Sequence, residues 1–453
     1  MTGKPTRQLS LFDAVCIIVG IVIGAGIYET TPAIAGSVTT PAWLMLFWLL
    51  GGLLSLIGAL CYAEVITRYP EEGGDYVFLN KAYGKRMGFL FAWSGFWVVR
   101  PANIGAVSFI FARYATDILP LNSDGHDFMI YAAAAVITFT AANILGVQTG
   151  KWSQNILTVL TVVGLLIVIT AGLIINVPSL PAIAGDGLAP GSNYYLALIL
   201  VLFTYGGWSN IAYVAAEVKQ PRKNILRSLI IGVTGITLIY ILVNLAFINV
   251  LGLEGMAESS SAASDMIRAV SGETGALLIS LLICITCLGN VNGMLLTESR
   301  IYYALGRDNR FYGFLGTWSP RLDSPIWSLT LQAAITLAMI VLLGGDERAF
   351  ERLVVLSAPL FWFFVLLVSL SLFLFRFRHG ETITGYRVPF YPWLPAAFCL
   401  SNLFLLYASL AYAWQQGYPE VIWIGIVLIT GILASLWQPR SKKIDEKKDA
   451  SHF

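Results

Sequence analysis

The sequence predicts an all-α integral membrane protein with twelve membrane-spanning helices, and three observations support this. First, 57% of the 453 residues are hydrophobic and only 12% are charged, about half the charged fraction of a typical soluble domain. Second, apolar segments of roughly 20 residues, the length needed to cross a bilayer core, recur along the whole chain. Third, 23 of the 28 Lys and Arg residues fall on the side of the N-terminus and three on the opposite side. These observations exclude a soluble protein.

The predicted spans are joined by short loops, which leaves no room for a separate soluble domain. We expect a single transmembrane domain over 1–437, made of two repeats (10–177 and 193–376) and two appended helices (391–437), followed by a cytoplasmic tail at 438–453. The twelve spans are predicted at 10–36, 41–67, 88–116, 128–147, 152–177, 193–217, 226–251, 275–305, 325–344, 349–376, 391–414 and 419–437.

The distribution of basic residues predicts the orientation of the chain. Because Lys and Arg are enriched in cytoplasmic loops, both termini are expected in the cytoplasm. The N-terminal segment has no small-residue cleavage site after its apolar part, so the first helix is expected to remain as an anchor. The five cysteines all fall within predicted spans, which argues against an extracellular disulfide framework. We expect a multi-pass protein of the plasma (inner) membrane.

Closely spaced glycines interrupt the first and sixth predicted spans: Gly24 and Gly26 in "VIGAGIY", and Gly206 and Gly207 in "FTYGGWS". Glycine is about 1 kcal/mol worse than alanine in a helix, so each pair favours local unwinding. Breaks at corresponding positions indicate an inverted repeat, with spans 1–5 and 6–10 related by a pseudo-two-fold axis in the membrane plane. The alternative is close helix packing, but neither glycine spacing puts two small residues on one helix face.

The two predicted breaks have opposite polarity. Unsatisfied backbone groups cost several kcal/mol in hydrocarbon, so an unwound segment must line a cavity or meet a polar ligand. A half-helix beginning near Ile27 would direct N–H groups at an anion, and one ending near Phe203 would direct carbonyl groups at a cation. A small ligand that carries both a carboxylate and an ammonium group fits this arrangement.

Six segments of the sequence carry a resemblance to a known family. They are "GIVIGAGIY" (20–28), "ALCYAEVITRYPEEGGDYVFL" (59–79), "WVVRPAN" (97–103), "FTYGGWSNIAYVAAEVKQPRKNI" (203–225), "GNVNGMLLTESR" (289–300) and "YRVPFYPWLP" (386–395). In this order they resemble the amino acid/polyamine/organocation transporters, and among these the L-type amino acid transporter branch. The similarity runs from about Leu9 to about Leu436.

The resemblance implies a LeuT-type fold of five plus five inverted spans with two appended helices, and alternating access to one central site. It implies that backbone amides at Ala25 and Gly26 hold the substrate carboxylate, and that carbonyl groups of the two breaks hold the amine. Phe203 matches the family's aromatic gate, which closes over the substrate. The implied substrate-binding residues are Val22, Ile23, Gly24, Ala25, Gly26, Phe203, Tyr205, Gly206 and Gly207.

Two departures from the family bear on ion coupling. An ungapped alignment of the fifth span puts Thr161 where many members carry a lysine whose ammonium is thought to replace a sodium ion. Thr161 would either help to ligate Na⁺ or hydrogen-bond within its own helix, the commoner fate of a membrane threonine. Glu29 lies where relatives usually carry an uncharged residue. A carboxylate inside a span suggests a coupling role; the alternatives are solvation or pairing with Arg113 or Arg100.

Further polar residues lie within or at the ends of the spans. Arg100, in the "RPA" that the family shares, is expected to be a structural anchor. Asn292 is a candidate pocket residue, as is Trp362, although "FWFF" at 361–364 is more typical of a core. We expect three glutamates to form salt bridges near basic residues of the cytoplasmic ends: Glu64 beside Arg68, Glu217 beside Lys219, and Glu298 beside Arg300.

The favoured function is secondary active transport of L-α-amino acids with neutral side chains, by a permease or exchange mechanism. The alternatives are Na⁺- or H⁺-coupled symport, transport of cationic amino acids or amines, and a non-transporting amino acid sensor. An enzyme is not expected, because the three histidines lie in loops or tails and no span carries a hydrolase motif.

The expected partners are an amino acid substrate and the lipid bilayer. We expect no cofactor and no metal. We also expect no nucleic-acid partner, since the C-terminal tail carries charges of mixed sign. Animal members of the branch attach to a heavy subunit through a cysteine before the fourth span. The segment 116–127 has no cysteine, so we expect no disulfide-linked heavy subunit.

Overall fold

The described part of the chain is folded almost entirely as helices. The computed structural model describes residues 4–121, 126–174, 193–259, 261–343, 349–379, 385–415 and 420–436. The α-helices are α1 Leu11–Val22, α2 Gly26–Glu29, α3 Thr31–Ala35, α4 Pro41–Arg68, α5 Asp75–Tyr83, α6 Lys85–Ser94, α7 Arg100–Ile118, α8 Asp127–Ile144, α9 Val147–Ile174, α10 Tyr194–Thr204, α11 Pro221–Glu258, α12 Ala262–Asp308, α13 Ile326–Leu343, α14 Ala349–His379, α15 Trp393–Gln415 and α16 Glu420–Leu436. A π-helical turn covers Gly95–Val99 and a 3₁₀ helix covers Trp208–Glu217. The predicted tail at 438–453 lies outside the described residues.

Eleven helical stretches of the described chain are long and apolar enough to cross a membrane. They lie at the positions of the first eleven predicted spans. The twelfth predicted span coincides with α16, whose apolar part, Ile422–Leu436, is shorter than the other eleven stretches. The chain is therefore a helical, multi-pass membrane protein.

Two of the long helices extend beyond their predicted spans and change direction at a glycine. α11 contains Gly252 at φ 69°, and α12 contains Gly272 at φ 67°. Both angles lie in the left-handed region that favours glycine. The membrane-spanning part of α12 accordingly begins at Thr274.

The third span is irregular at its centre, just before the arginine of the "RPA" segment. The amide of Arg100 donates to the carbonyl of Gly95, which makes a π-helical turn. Pro101 has no N–H and cannot donate to the carbonyl four residues before it, so the hydrogen-bond ladder is already interrupted there.

The first helix is fixed at its start by a capping box. The hydroxyl of Ser10 accepts from the amide of Asp13 at 3.2 Å, and the Asp13 carboxylate accepts from the Ser10 amide at 2.7 Å. The same carboxylate accepts a 2.6 Å hydrogen bond from Asn155 and pairs with Lys151 at 3.6 Å. Both partners belong to α9, so these contacts hold the start of α1 against the fifth span.

The two interrupted spans lie near the centre of the molecule. In their most apolar stretches, 78% of the residues of the first span and 67% of those of the sixth are buried. The corresponding figures are 28% for α8 and 33% for α9. α1 packs against α9, α11 and α12. The two interrupted spans are thus among the most buried, together with the third span at 72%.

Candidate functional site

A cavity lies between the two interrupted spans. Further walls come from the third, eighth and tenth spans, through residues such as Ile110, Met294 and Phe361. The residues that the two interrupted spans contribute are Ile21, Val22, Gly24, Ala25, Gly26, Phe203, Thr204, Gly206, Gly207 and Asn210.

The first break separates α1, which ends at Val22, from α2, which begins at Gly26. A side chain at Gly24 would collide with the amide nitrogen of Asn290 on α12. That nitrogen donates a 2.7 Å hydrogen bond to the carbonyl of Ile21. The break therefore brings the eighth span against the end of α1, an approach that requires a residue without a Cβ atom at position 24.

The second break separates α10, which ends at Thr204, from the 3₁₀ helix that begins at Trp208. Gly207 has φ 109°, and a Cβ atom there would lie 2.7 Å from the Ile21 side chain. The Thr204 hydroxyl lies 2.8 Å from the hydroxyl of Thr30 just beyond α2. These contacts place the two breaks directly against each other.

Tyr240 on α11 connects the ends of the two interrupted helices. Its hydroxyl lies 2.9 Å from the carbonyl of Val22 and 3.3 Å from that of Thr204, and both contacts satisfy hydrogen-bond geometry. The side chain is fully buried and stacks edge-on against Tyr205. Sequence analysis missed this residue, because a single tyrosine in an apolar helix carries no pattern that distinguishes it from a core residue.

Seven of the nine backbone-site residues implied by the sequence line the cavity, and two do not. Ile23 is fully buried away from it. Tyr205 points towards α4, where its hydroxyl donates to the carbonyl of Trp48 at 3.0 Å. Trp362 also lines the cavity.

The structure places Asn292 outside the cavity wall. Its amide donates to the Gly150 carbonyl at 3.1 Å and to Gln154 at 2.9 Å, and its oxygen accepts from Asn143 at 2.9 Å. Asn290 lines the cavity instead. Two helical positions differ by about 200° around the axis, so the two asparagines face opposite directions. Met294 and Glu298, which lie four and eight residues after Asn290 on the same face of α12, also line the cavity. This spacing is the sequence signal that favours Asn290 over Asn292.

Thr161 and Glu29 both have protein partners outside the described cavity wall. The Thr161 hydroxyl lies 3.4 Å from that of Thr286 on α12, so it links the fifth and eighth spans. The Glu29 carboxylate pairs with Arg113, one of the two partners considered from the sequence. It also accepts from the hydroxyl of Tyr114 at 3.4 Å. The pair connects the first and third spans beside a surface recess that Arg113 and Tyr114 line.

All three membrane glutamates form ion pairs, but each has another partner than the sequence suggested. Glu64 pairs with Arg376 of α14, at 2.8 and 2.5 Å, rather than with Arg68. Contacts across the helix bundle replaced the partners that are close in sequence. The other two pairs are Glu217 with Arg300, at 2.7 and 3.1 Å, and Glu298 with Arg100, at 3.0 Å.

The Arg100–Glu298 pair lies in the cavity wall and is itself almost completely buried. Arg100 also donates to the hydroxyl of Tyr213 at 2.8 Å, and this hydroxyl donates to Asp75 at 2.9 Å. Asp75 begins α5, outside the membrane-spanning stretches. Burial raises the pKa of its carboxyl to about 6, although the Arg100 guanidinium opposes this shift. Arg100 is thus anchored by two spans and one loop helix, as the sequence suggested for an anchor.

The fold and the cavity together define a multi-pass membrane protein with a central, ligand-sized cavity between two broken helices. A family model described as amino acid permease matches residues 9–433. The chain belongs to the amino acid permease family.

Curated relatives agree with this membership over almost the whole chain. The b(0,+)-type amino acid transporter 1 of Mus musculus is 27% identical over 426 residues, which cover 92% of this chain and 86% of the relative. The serine/threonine exchanger SteT of Bacillus subtilis (strain 168) is 26% identical over 407 residues, covering 89% and 91%. The cystine/glutamate transporter of Homo sapiens is 26% identical over 411 residues, covering 89% and 80%.

Proposed function

We propose that the protein is a secondary transporter of L-α-amino acids with neutral side chains, working by alternating access as an exchanger or permease. The observation that carries the proposal is the cavity between two helix breaks whose ends have opposite polarity. Membership of the amino acid permease family and relatives with amino acid transport in their names support the same assignment.

The α-amino acid moiety would be recognised by the backbone. The first N–H groups of a helix have no intrahelical partner, so those at Ala25 and Gly26 are available for a carboxylate. The last carbonyl groups of α1 and α10, near Val22 and Phe203, would hold the ammonium group. The Val22 carbonyl also accepts from Gly24 and Tyr240, and the Phe203 carbonyl also accepts from Gly206. Tyr240 and the Thr30–Thr204 contact hold these two sets of groups close together.

The side chain of the substrate would occupy the remainder of the cavity. Its wall there contains apolar residues of the third, eighth and tenth spans, including Val107, Ile110, Met294 and Phe361. Such a wall favours apolar or small neutral side chains. Phe203, half-buried at the edge of the same cavity, is the proposed gate.

We further propose the LeuT-type arrangement of two inverted five-span repeats with two appended helices, which makes α16 the twelfth span. The glycine breaks in the first and sixth spans support this arrangement. The excess of basic residues on one side supports a cytoplasmic position for both termini, in the plasma (inner) membrane.

Exchange without ion coupling is the form that we favour. Thr161 and Glu29, the two residues considered for coupling, each engage a protein partner. Absence of a disulfide-linked heavy subunit stays an expectation from the sequence of 116–127.

Uptake of radiolabelled L-alanine and L-leucine into liposomes containing the purified full chain tests this proposal. The liposomes would be empty or preloaded with unlabelled amino acid, with and without Na⁺ and pH gradients. We expect uptake that requires internal amino acid and ignores both gradients. Uptake driven by Na⁺ or protons into empty vesicles would replace exchange with symport, and binding without uptake would replace transport with sensing.

Two glycine substitutions, one in the cavity wall and one outside it, provide a matched comparison. Gly26→Val puts a branched side chain against Thr204, whose methyl group would lie 3.2 Å from the new Cβ atom, and is expected to abolish uptake. Gly235→Val in α11 has no neighbouring atom within 4 Å and is expected to retain it. Equal loss in both variants would contradict the proposed position of the site.

A further inference from the structure

The cavity wall contains one cation and one anion among its described residues, and they are paired with each other. The lining residues that carry ionisable side chains are Arg100 on α7 and Glu298 on α12. The Arg100 Nη1 donates to Glu298 Oε1 at 3.0 Å. The exposed fractions of their side chains are 3% and 1%. The electrostatic character of the cavity therefore depends on this single contact.

Two neutral side chains hold Glu298 in place beside Arg100. Asn210 of the 3₁₀ helix donates to Oε1 at 3.4 Å, and Gln332 of α13 donates to Oε2 at 3.4 Å. Neither partner brings a charge. Glu298 is therefore the main counter-charge of Arg100 at the cavity wall.

A second carboxylate lies farther from the cavity. Asp75 reaches Arg100 only through the hydroxyl of Tyr213. It lines a small separate recess behind Arg100 and is not part of the cavity wall. The Nε of Arg100 has no hydrogen-bond partner among the described residues. Removing Glu298 would thus leave a cavity-facing guanidinium with free donors and a more distant counter-charge.

We propose that Glu298 is a specificity-determining residue: by pairing with Arg100 it makes the cavity wall electrically neutral, so that the cavity admits neutral amino acid side chains and rejects anionic ones. This inference rests on the proposed function, because it assigns the substrate class of the same cavity.

The physical basis is the strength of charge interactions in a buried site. Unit charges a few ångströms apart interact far more strongly at low dielectric than in water. An anionic substrate side chain would meet the Glu298 carboxylate and be repelled. With a neutral amide at position 298, the planar guanidinium of Arg100 would offer a substrate carboxylate paired, charge-assisted hydrogen bonds.

Wild-type protein in liposomes provides the first test. L-glutamine and L-glutamate have nearly the same shape and differ in side-chain charge. We expect unlabelled glutamine to compete with labelled L-alanine uptake at least about tenfold better than glutamate, a ratio equal to about 1.4 kcal/mol. Equal competition would overturn the inference and the restriction to neutral side chains, while leaving amino acid transport itself intact. Absence of alanine uptake would instead count against the proposed function.

The nearly isosteric variant Glu298→Gln provides the second test. We expect the ratio of glutamate to alanine uptake to rise by about tenfold or more relative to wild type. The matched control is Glu217→Gln, which unpairs Arg300, an equally buried arginine outside the cavity wall. We expect its substrate ratio to stay at the wild-type value, so a rise in both variants would overturn the inference.

Two further variants, both carrying Arg100→Gln, distinguish an effect of charge from an effect of misfolding. Arg100→Gln leaves Glu298 unpaired and is expected to shift preference towards L-lysine, and Arg100→Gln combined with Glu298→Gln is expected to restore preference for neutral substrates. Thermal stability and monodispersity of each variant are measured in parallel, because breaking a buried ion pair is destabilising. If Glu298→Gln does not fold, the glutamine and glutamate comparison and the Arg100→Gln result decide. An unchanged substrate ratio in folded Glu298→Gln or Arg100→Gln protein would overturn the inference.

Discussion

The first and fifth spans are similarly apolar, with mean hydropathies of 2.3 and 2.7, but they have different structures and positions. The fifth span, α9, is one continuous helix of 28 residues, although it contains Gly150, Gly164 and Gly172. The first span breaks between Val22 and Gly26. Single glycines are therefore tolerated in α9, whereas the first span breaks at its pair of glycines.

The difference in burial explains why the broken span holds the cavity. Most of the first span is enclosed by other helices, whereas only a third of the apolar stretch of α9 is buried. Backbone groups freed by a break facing lipid would have no partner. At the centre, Asn290 and Tyr240 supply hydrogen bonds to the carbonyls of Ile21 and Val22. A break is stable where the surrounding helices provide such donors.

Among the substitutions that test this comparison, the largest effect is expected for Gly24→Ala in the first break. The added methyl group collides with the amide of Asn290, which is held in place by its own hydrogen bond to Ile21. Displacement of the break by about 1 Å is expected to lower transport roughly 100-fold, the scale seen when reacting groups are misplaced by that distance. Initial uptake rates of alanine in liposomes measure it. Transport near the wild-type rate would show that the geometry at position 24 is not essential.

A smaller effect is expected for Tyr240→Phe, which removes the hydroxyl that joins the two helix ends. The two buried carbonyl groups of Val22 and Thr204 lose the one hydroxyl proton that they share, which costs about 1–3 kcal/mol of stability. We expect a lower melting temperature and a roughly tenfold loss of transport. Tyr205→Phe is the matched control, because it removes a buried hydroxyl bonded to Trp48 outside the cavity. It is expected to lose about 1 kcal/mol and to retain transport; similar transport in both variants would contradict the role assigned to Tyr240.

Gly164→Ala in α9 tests whether a glycine in the continuous fifth span matters less than Gly24 in the broken first span. The new methyl group meets the end of the Leu282 side chain, which can adopt another rotamer. Overpacking of this kind costs about 1–3 kcal/mol, partly offset by alanine's better helix propensity. We expect a small change in melting temperature and no change in uptake rate. A loss of transport as large as that of Gly24→Ala would remove the distinction between the two spans.

The smallest effect is expected for Thr161→Val, also in α9. Its hydroxyl makes one 3.4 Å contact with Thr286, at the weak end of the hydrogen-bond range. We expect a stability change of about 1 kcal/mol or less and unchanged, Na⁺-independent uptake. Uptake that depends on Na⁺ in the wild type and loses this dependence in the variant would instead assign Thr161 to a sodium site.

Hydropathy and glycine spacing predicted the large features of the molecule because they depend on local chemistry. Segment length and apolarity predicted the spans, and the glycine pairs predicted where two of them break. The sequence also suggested the pairing of Glu29 with Arg113 as an alternative. Side-chain partners were less accessible: Glu64 pairs with Arg376, 312 positions away, rather than with the nearby Arg68.

The sequence by itself determined that this chain is a helical membrane protein whose first and sixth spans are interrupted, since bilayer thickness and backbone conformational preference act on consecutive residues. Only the tertiary structure decided that Asn290 and not Asn292 faces the cavity, that Tyr240 joins the two breaks, and that Arg100 meets Glu298. These outcomes depend on which face each helix turns to its neighbours. That choice is made by the packing of whole helices against one another, which residues close in sequence do not specify.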